Sequence, residues 1–349
     1  LFILICILRA VDTYAGLLRE SAADPGNDHR LGAAEAPPAI ISVFLGEQLE
    51  DVLEQLVATG EATRSIETGK LETGVRTLPD LAKDATDRNR TSPFAFTNNK
   101  FEFRMVGSRD SVAAPNIVLN TIVADVFSEA CDILEQAEDF DMAVHDLIKE
   151  YAMKHQRIVF NGNGYSEEWV EEAERRGLPN IKSMVESIDE MVSEKAVKVF
   201  EKFGVFTRAE LESRAEIKYE AYAKALNIEA RSMIDIASKH IIPAVIRYTK
   251  ELAETVNAVR EAGADYEVQA EILHQVSGFL KEAKKALEKL ETVTYQAADK
   301  AEGKEQAFWF YEEVSPAMEA LRKPVDELEM IVAKDMWPMP SYGDLIFEV

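Results

Sequence analysis

Apolar positions recur every three or four residues through the second half of the chain, which is the spacing of one helix face. The clearest run predicts an amphipathic helix of about six turns, with Lys and Glu between its apolar residues Val268, Ile272, Val276, Leu280, Leu287 and Leu290. Similar patterns extend from about residue 128 to the end, without a fixed-period repeat or a low-complexity tract. The pattern therefore favours a helical bundle over a solenoid.

The first half of the chain mixes several patterns. Residues 1–21 and 39–58 carry apolar residues at helical spacing, so we predict a helix over each range. Residues 24–38 begin with Pro-Gly, end with Pro-Pro and are rich in small residues between, which predicts a loop. The polar residues 59–88 predict a further loop with short elements.

Residues 89–104 predict a β-hairpin with a turn at Asn98-Asn99. Because strand side chains alternate between faces, Lys100, Glu102 and Arg104 share one face and the two intervening phenylalanines share the other. A row of cation, carboxylate and cation is compatible with a solvated edge strand and equally with a site for a charged substrate.

Charge and cysteine content narrow the function classes. The 349 residues include 39 Lys and Arg against 63 Asp and Glu, a net charge of −24. Phosphate backbones and anionic membrane surfaces repel such a chain, so neither nucleic acid nor membrane is expected as a partner. Two cysteines are too few for a disulfide framework, which favours a reducing cytoplasm. The apolar start, LFILICIL, is too short to span a membrane and indicates the middle of a buried helix in a fragment of a longer chain.

Three charged features are candidates for chemistry. Arg30 lies in the loop of small residues that runs to Glu35, which suits a lid over a ligand. Arg90 immediately precedes the hairpin, and the charged hairpin face follows it. Taken singly, each is compatible with ordinary surface charge. Phosphate-binding glycine loops and paired metal-binding histidines are absent from the sequence, and NGNG at 161–164 is typical of a surface turn.

Taken together, the charged features form an ordered series that resembles one family. The segments are NDHRLGAAEAPP (27–38), NRTSPFAF (89–96), KFEFR (100–104) and SVAAPNIVLNTIVA (111–124). They resemble the C-terminal half of the catalytic domain of glutamine synthetase, most closely the large type III class. RIVFNGNGYSEEW (157–169) and WPMPSYGDLIFEV (337–349) are similar to the helical C-terminal extension of that class.

The resemblance implies a fold in two parts. Residues 1–135 would be the C-terminal part of an α/β (α+β) catalytic domain with a curved, mostly antiparallel sheet. Residues 136–349 would be a mainly α-helical C-terminal domain. The family's active sites form between subunits of a ring, so the resemblance also implies a ring-based homo-oligomer.

For the glutamate and ammonia sites, the resemblance implies three roles. Arg104 and Arg30 would bind substrate glutamate, since a planar guanidinium matches a carboxylate with two parallel hydrogen bonds. Glu35 would be the flap carboxylate that closes the site and takes a proton from ammonium.

For the nucleotide site, it implies three more. Glu102 would ligate the Mg²⁺ or Mn²⁺ that bridges the phosphates of the co-substrate ATP. Arg90 would neutralise the phosphoryl group in transfer, and Lys100 would contact nucleotide or phosphate. Unlike bacterial type I enzymes, the chain has no further arginine shortly after its Asn-Arg pair, where PFAF stands.

The implied reaction is ATP-dependent ligation of ammonia to the γ-carboxylate of glutamate. An organic amine in place of ammonia, as in γ-glutamyl-amine ligases, stays open because the family's amine-site residues lie upstream of these segments. A non-catalytic helical assembly module is the alternative from another class, motivated by the long acidic helices predicted between residues 180 and 335.

Overall fold

The computed structural model describes residues 1–33, 35–65, 92–97 and 99–347, together with the backbone of 70–71 and 81–82. Its internal contacts divide the chain into two compact units, Leu1–Ala215 and Glu216–Val349. The predicted boundary between residues 135 and 136 concerns the two parts of the resembled family and stays a prediction.

The first unit is mainly helical and contains a small sheet. Its helices are α1 (Phe2–Thr13), α2 (Ala15–Ser21), α3 (Pro25–Asp28), α4 (Glu47–Thr59), α5 (Ala113–Leu134), α6 (Phe140–His155), α7 (Glu167–Arg175), α8 (Met184–Met191), α9 (Glu194–Lys202) and the start of α10 (Arg208–Ile236). The strands are β1 (Val43–Phe44), β2 (Lys70–Leu71), β3 (Leu81–Ala82), β4 (Phe94–Thr97) and β5 (Lys100–Phe103).

The described strands form two sheets, an antiparallel pair of β2 and β3 and a mixed three-stranded sheet in the order β1-β4-β5. Strand β1 runs parallel to β4, with Val43 opposite Phe94. Strands β4 and β5 form the predicted antiparallel hairpin, with Thr97 opposite Lys100; the predicted turn includes residue 98, which lies outside the described residues. The structure thus contains both helices and strands, but it is mostly helical, and the curved antiparallel sheet stays a prediction.

The predicted helix over residues 39–58 is wrong in its first part. Helix α4 begins only at Glu47, and the preceding residues are extended and include β1. Val43 is fully buried, since it pairs with Phe94 on one side and bridges Val159 on the other. A continuous apolar run also suits a strand that is buried on both faces, and Gly46 with φ of +83° separates that strand from the helix.

The apolar start of the chain is helical, and one side of it is buried, while Ile3 on the other side is 63% exposed. Within α1, Ile5, Cys6 and Leu8 are at most 1% exposed and belong to the core of the first unit. The predicted helix over 1–21 is interrupted at Tyr14, directly before α2 begins at Ala15. Among the described residues, no helix combines the length and apolar character needed to cross a membrane.

The second unit continues α10 and adds five helices. These are α11 (Ile242–Glu261), α12 (Glu267–Gln296), α13 (Lys304–Trp309), α14 (Ser315–Ile331) and α15 (Tyr342–Phe347). The helix predicted from the spacing at 268–290 is confirmed as α12, which packs on α11 and α14 through Val276 and Ala283.

Two π-helical turns interrupt the helical path of the second unit. They span Ala237–Ile241 and Phe310–Val314, and in each the following residue donates its N–H to the carbonyl five residues earlier. A proline follows two residues after each turn, at Pro243 and Pro316. Proline has no N–H to donate, so one hydrogen bond of the regular α-helical pattern is missing at each of these prolines. The π-helical hydrogen bonds lie directly before these positions.

Candidate active site

The charged face of the hairpin forms one connected group. Lys100 Nζ lies 3.0 Å from Glu102 Oε1, and Arg104 donates to Glu102 Oε2 from Nε at 3.2 Å and from Nη2 at 3.0 Å. Thr97 Oγ1 also donates to Oε1, at 3.3 Å. Hydrogen bonds from Lys100 first, and then from Arg104, lower the pKa of Glu102, so its carboxylate is ionised at neutral pH.

The other face of the hairpin is an aromatic cluster that fixes the charged face in place. The ring of Phe101 stacks on that of Phe94 at 5.0 Å and lies 5.0 Å from the ring of Phe96. Phe94 and Ala95 are buried, so β4 is anchored in the core of the first unit. The charged side chains therefore project from a packed scaffold rather than from a free ribbon.

Arg30 is joined to the end of the hairpin by hydrogen bonds to main-chain carbonyls. Its Nη1 donates to Met105 O at 3.1 Å and to Asn27 Oδ1 at 2.9 Å, and its Nη2 lies 3.4 Å from Arg104 O. Asn27 is buried, and its Nδ2 donates to Met105 O at 2.9 Å. The guanidinium of Arg30 is thus held next to Arg104, although 74 residues separate the two.

Gly32 joins the two described sides of the loop, residues 30–33 and 35–37. The N–H of Gly32 lies 3.2 Å from Ala36 O and 3.1 Å from Pro37 O. Gly32 has φ of +78°, a conformation that side chains disfavour, so glycine is required at this turn. Glu35 is exposed at the tip, and its carboxylate makes no hydrogen bond or ion pair within the described part of the chain.

A pocket of about 560 Å³ lies between this loop and the hairpin. Its lining includes four of the predicted site residues, Arg30, Glu35, Glu102 and Arg104. Lys100 does not line the pocket but contacts Glu102, which does. Arg90 lies outside the described residues. Two guanidinium groups and two carboxylates around one cavity can bind a ligand that carries carboxylate or phosphate together with an amino group.

Ser92 also lines the pocket, although it is not among the predicted site residues. It is 1% exposed, it lines the pocket, and its hydroxyl has no hydrogen-bond partner among the residues that the structure describes. A buried hydroxyl without a partner is costly unless a ligand or water satisfies it. Its place within the motif NRTSPFAF was the available signal, although a single serine there does not distinguish a site residue from a turn residue.

The segment 159–165, which we call the brace, precedes helix α7 and binds the main chain of β1 and of the residues that follow β1. Phe160 N donates to Val43 O at 3.0 Å, and Asn161 Oδ1 accepts from Leu45 N at 2.9 Å and Gly46 N at 3.0 Å. The hydroxyl of Tyr165 donates to Glu35 O at 3.1 Å. NGNG is thus a turn, as predicted, but its first asparagine and the following tyrosine bind distant main chain, which no local pattern indicates.

A buried pair lies at the base of the loop. Both oxygens of Asp28 accept from Met184 N, at 2.8 and 2.9 Å, and one lies 3.5 Å from Nη2 of the buried Arg19. Burial raises the pKa of Asp28 to about 6, from an ordinary value of 3.8. Asp28 therefore ties the start of the loop to the first residue of α8.

The described residues contribute little to a metal site. Mg²⁺ favours six oxygen ligands, several of them water or phosphate. Within the described ranges, no group of three or more His, Cys, Asp or Glu residues is arranged to hold a metal ion. Glu102 is 36% exposed and supplies one hard carboxylate, which its two cationic neighbours already contact. These residues therefore fit a single ligand of a divalent ion and not a complete site.

Comparison with known proteins identifies similar chains over the full length of this one. Residues 143–260 match the glutamine synthetase C-terminal domain family. The type-3 glutamine synthetase of Dictyostelium discoideum is 40% identical over 99% of this chain and 48% of its own length. The glutamine synthetases of Bacteroides fragilis and Butyrivibrio fibrisolvens are each 36% identical, over 49% and 50% of their lengths. The resemblance to glutamine synthetases is thus confirmed, and the chain spans about half the length of these curated relatives.

Proposed function

We propose that this chain carries the C-terminal half of the catalytic domain and the helical C-terminal extension of a glutamate–ammonia ligase, a glutamine synthetase of the type 3 class. The observation that carries the proposal is the pocket, which gathers Arg30, Glu35, Glu102 and Arg104 from separate segments. The similarity to glutamine synthetases along the whole chain supports it.

The proposed reaction has two steps. The γ-carboxylate of glutamate attacks the γ-phosphorus of ATP, which forms γ-glutamyl phosphate and releases ADP. Ammonia then attacks the acyl carbon, inorganic phosphate leaves, and glutamine is formed. The reaction assimilates nitrogen, and we place it in the cytoplasm.

Arg104 and Arg30 bind the glutamate substrate in this proposal. Arg104 is 16% exposed and lies at the end of a packed strand, so its guanidinium enters the pocket in a fixed orientation. Arg30 is held by two main-chain carbonyls and the amide oxygen of Asn27. None of these hydrogen bonds goes to a carboxylate, so they do not neutralise the positive charge of Arg30. Both features suit a site for an anionic substrate on a chain of net charge −24.

Glu35 acts as the base in the second step. Its carboxylate is exposed on a loop that borders the pocket, so it can accept a proton from ammonium and then shield the acyl phosphate from water. Ser92 gives the pocket a hydroxyl that can bond to a substrate oxygen.

The nucleotide side of the site is assigned to Glu102, Lys100 and Arg90. Glu102 would hold one position of a bound Mg²⁺ or Mn²⁺, which supplies charge neutralisation at the phosphates of ATP. Lys100 and Arg90 would contact transferred or leaving phosphate. We assign the remaining metal ligands and the ammonium site to upstream parts of the full-length protein.

Exchange of Glu102 for Gln in the full-length protein tests the proposal. The change removes the negative charge at nearly constant shape, so ATP-dependent glutamine formation should fall by at least a hundredfold. The matched control is Glu168→Gln, an exposed carboxylate on α7 away from the pocket, which should leave turnover unchanged. Unchanged turnover in the Glu102 variant would favour the non-catalytic assembly module, and a preference of the wild type for organic amines would favour a γ-glutamyl-amine ligase.

We also propose that the full-length protein is a ring-based homo-oligomer whose sites are completed by neighbouring subunits. The incomplete metal shell within the described residues supports this. Light scattering combined with an activity assay on the same fractions should show activity only in the large particle. A fully active monomer would contradict it.

A further inference from the structure

The loop that carries Glu35 is held by one side chain from the brace. We propose that Tyr165 is a positioning residue for Glu35, because its hydroxyl donates to the main-chain oxygen of Glu35 at 3.1 Å and fixes the tip of the loop beside the pocket. This inference rests on the proposed function, which gives Glu35 its chemical role.

The donor side of this contact is rigid. Tyr165 N donates to Asn163 Oδ1 at 3.0 Å, and the next residue, Ser166, caps helix α7 by accepting from Trp169 N. Trp169 is 3% exposed, and its ring stacks on Phe160 at 3.7 Å. Since Phe160 is also bonded to β1, the tyrosine is attached to the same framework as the hairpin.

The acceptor side is a short loop whose described parts, residues 30–33 and 35–37, are joined at their base. The N–H of Gly32 bonds to Ala36 O and Pro37 O, and the buried Ala36 also forms a bridge with Leu31. Glu35 is the exposed residue directly before this base, and its main-chain oxygen has the Tyr165 contact from 130 residues away in sequence, so the contact acts where the loop leaves its buried base.

The contact positions Glu35 without changing its chemistry. The hydroxyl bonds to the main-chain oxygen of Glu35, so the side-chain carboxylate is left for other partners. A donor placed on the carboxylate itself would stabilise the ionised form and make it a weaker base. Tyr165 is thus suited to orient the base while leaving it available for ammonium.

The test compares Tyr165→Phe with the wild-type full-length protein. The variant loses only the hydroxyl of a tyrosine that is 42% exposed, so the fold should be kept. We expect kcat with ammonia to fall roughly threefold to tenfold, the effect of one neutral hydrogen bond. KM for glutamate and for ATP should stay within about twofold of wild type, because the Tyr165 hydroxyl bonds to the main-chain oxygen of Glu35 and to none of the side chains assigned to those substrates. The matched control is Tyr295→Phe, an exposed tyrosine on α12.

Hydrogen exchange gives a readout that does not depend on activity. The amide of Gly32 should exchange roughly threefold to tenfold faster in Tyr165→Phe and at the wild-type rate in Tyr295→Phe. Incorporation of 4-aminophenylalanine at position 165 restores a donor at the ring tip and should bring both exchange and kcat back toward wild type.

The outcomes separate this inference from the proposed function. Unchanged exchange at Gly32 in Tyr165→Phe overturns the inference, whatever the activity. Faster exchange with unchanged ammonia kinetics in an active enzyme also overturns it, because Tyr165 would then hold the loop without positioning the base. A wild-type protein that makes no glutamine overturns the proposed function, while the exchange result still decides whether Tyr165 holds the loop.

Discussion

Arg104 donates two hydrogen bonds to the same oxygen of Glu102, from Nε and from Nη2. Glu102 lies in β5 and Arg104 directly follows the strand, so the alternation of extended residues places both side chains on the pocket face. The carboxylate orients the guanidinium, and the guanidinium, after Lys100, lowers the pKa of the carboxyl group. Each residue therefore fixes the state in which the other would meet a ligand.

Exchange of Arg104 for Lys should weaken glutamate binding selectively. Lysine keeps the charge but cannot present the planar pair of donors. The loss of a charge-assisted hydrogen bond costs roughly 1.5–3 kcal/mol, which corresponds to a rise in KM for glutamate of roughly tenfold to a hundredfold. Steady-state kinetics of the full-length enzyme measure this, with the exposed Arg109→Lys as the control. A change confined to KM for ATP would contradict the assignment.

Asp28 should make stability depend on pH in a direction opposite to that of most carboxylates. Its pKa is about 6 in the folded chain against an ordinary 3.8, so the folded state holds this proton more tightly than the unfolded state. The stabilisation by that proton is present below about pH 4 and is lost as pH rises to about 6. Asn at position 28 cannot titrate, so Asp28→Asn does not lose this stabilisation as pH rises. Its free energy of unfolding relative to that of wild type should therefore increase by on the order of 3 kcal/mol between pH 4 and 7.

Urea denaturation at pH 4.5 and 7.5 measures this difference, with Asp141→Asn as an exposed control at the start of α6. A difference between Asp28→Asn and wild type that does not vary with pH would show that Asp28 titrates normally.

Asn161 should contribute more to stability than its position in a surface turn indicates. Exchange for Ala removes the acceptor of two main-chain N–H groups, those of Leu45 and Gly46, and the donor to Glu50 Oε2. Unpaired polar groups of this kind cost about 1–3 kcal/mol. Asn163→Ala, which loses one exposed bond in the same turn, should cost less than about 1 kcal/mol. Thermal denaturation of both variants measures the difference, and equal effects would contradict the role of the brace.

The two cysteines should differ strongly in reactivity. Cys6 is fully buried, and burial raises its pKa to about 11, whereas Cys131 is exposed. Because the thiolate is the reactive form, iodoacetamide should modify Cys131 in the native protein and Cys6 only after unfolding. Mass spectrometry of digested samples measures both. Equal modification rates under native conditions would show that α1 opens readily.

The spacing of apolar residues correctly predicted those helices and strands in which one side is buried and the other is exposed. The spacing at 268–290 predicts α12, and the alternation at 100–104 predicts β5, since each depends only on which side of one element is buried. The start of α4 was wrong because residues 39–46 are apolar for a non-local reason, the pairing of β1 with β4 and with Val159. Their sequence is compatible with a buried helix and with a buried strand.

The same division holds for the candidate site. The resemblance singled out Arg30, Glu35, Glu102 and Arg104, which the structure brings to one pocket. The contacts that hold them come from residues whose partners lie far away in sequence. Met105 O anchors Arg30, and Tyr165 reaches Glu35, although neither residue type is distinctive where it stands. Such partners become recognisable only when the chain is folded.

The two π-helical turns have a consequence for how this sequence can change. Each turn accommodates one residue more than an α-helix would, so removal of a single residue from Ala237–Ile241 can leave a continuous helix behind. The turn absorbs this extra residue, so the deletion would leave the later positions of α11 close to their present orientation, whereas deletion of a residue from a regular stretch of the helix would rotate them by about 100°. Val245, which is fully buried, should therefore stay in the core when this turn loses one residue. Single-residue insertions and deletions among natural relatives are therefore expected to occur at these turns, and alignments that place such a gap elsewhere will misplace the residues that pack α11 against α12.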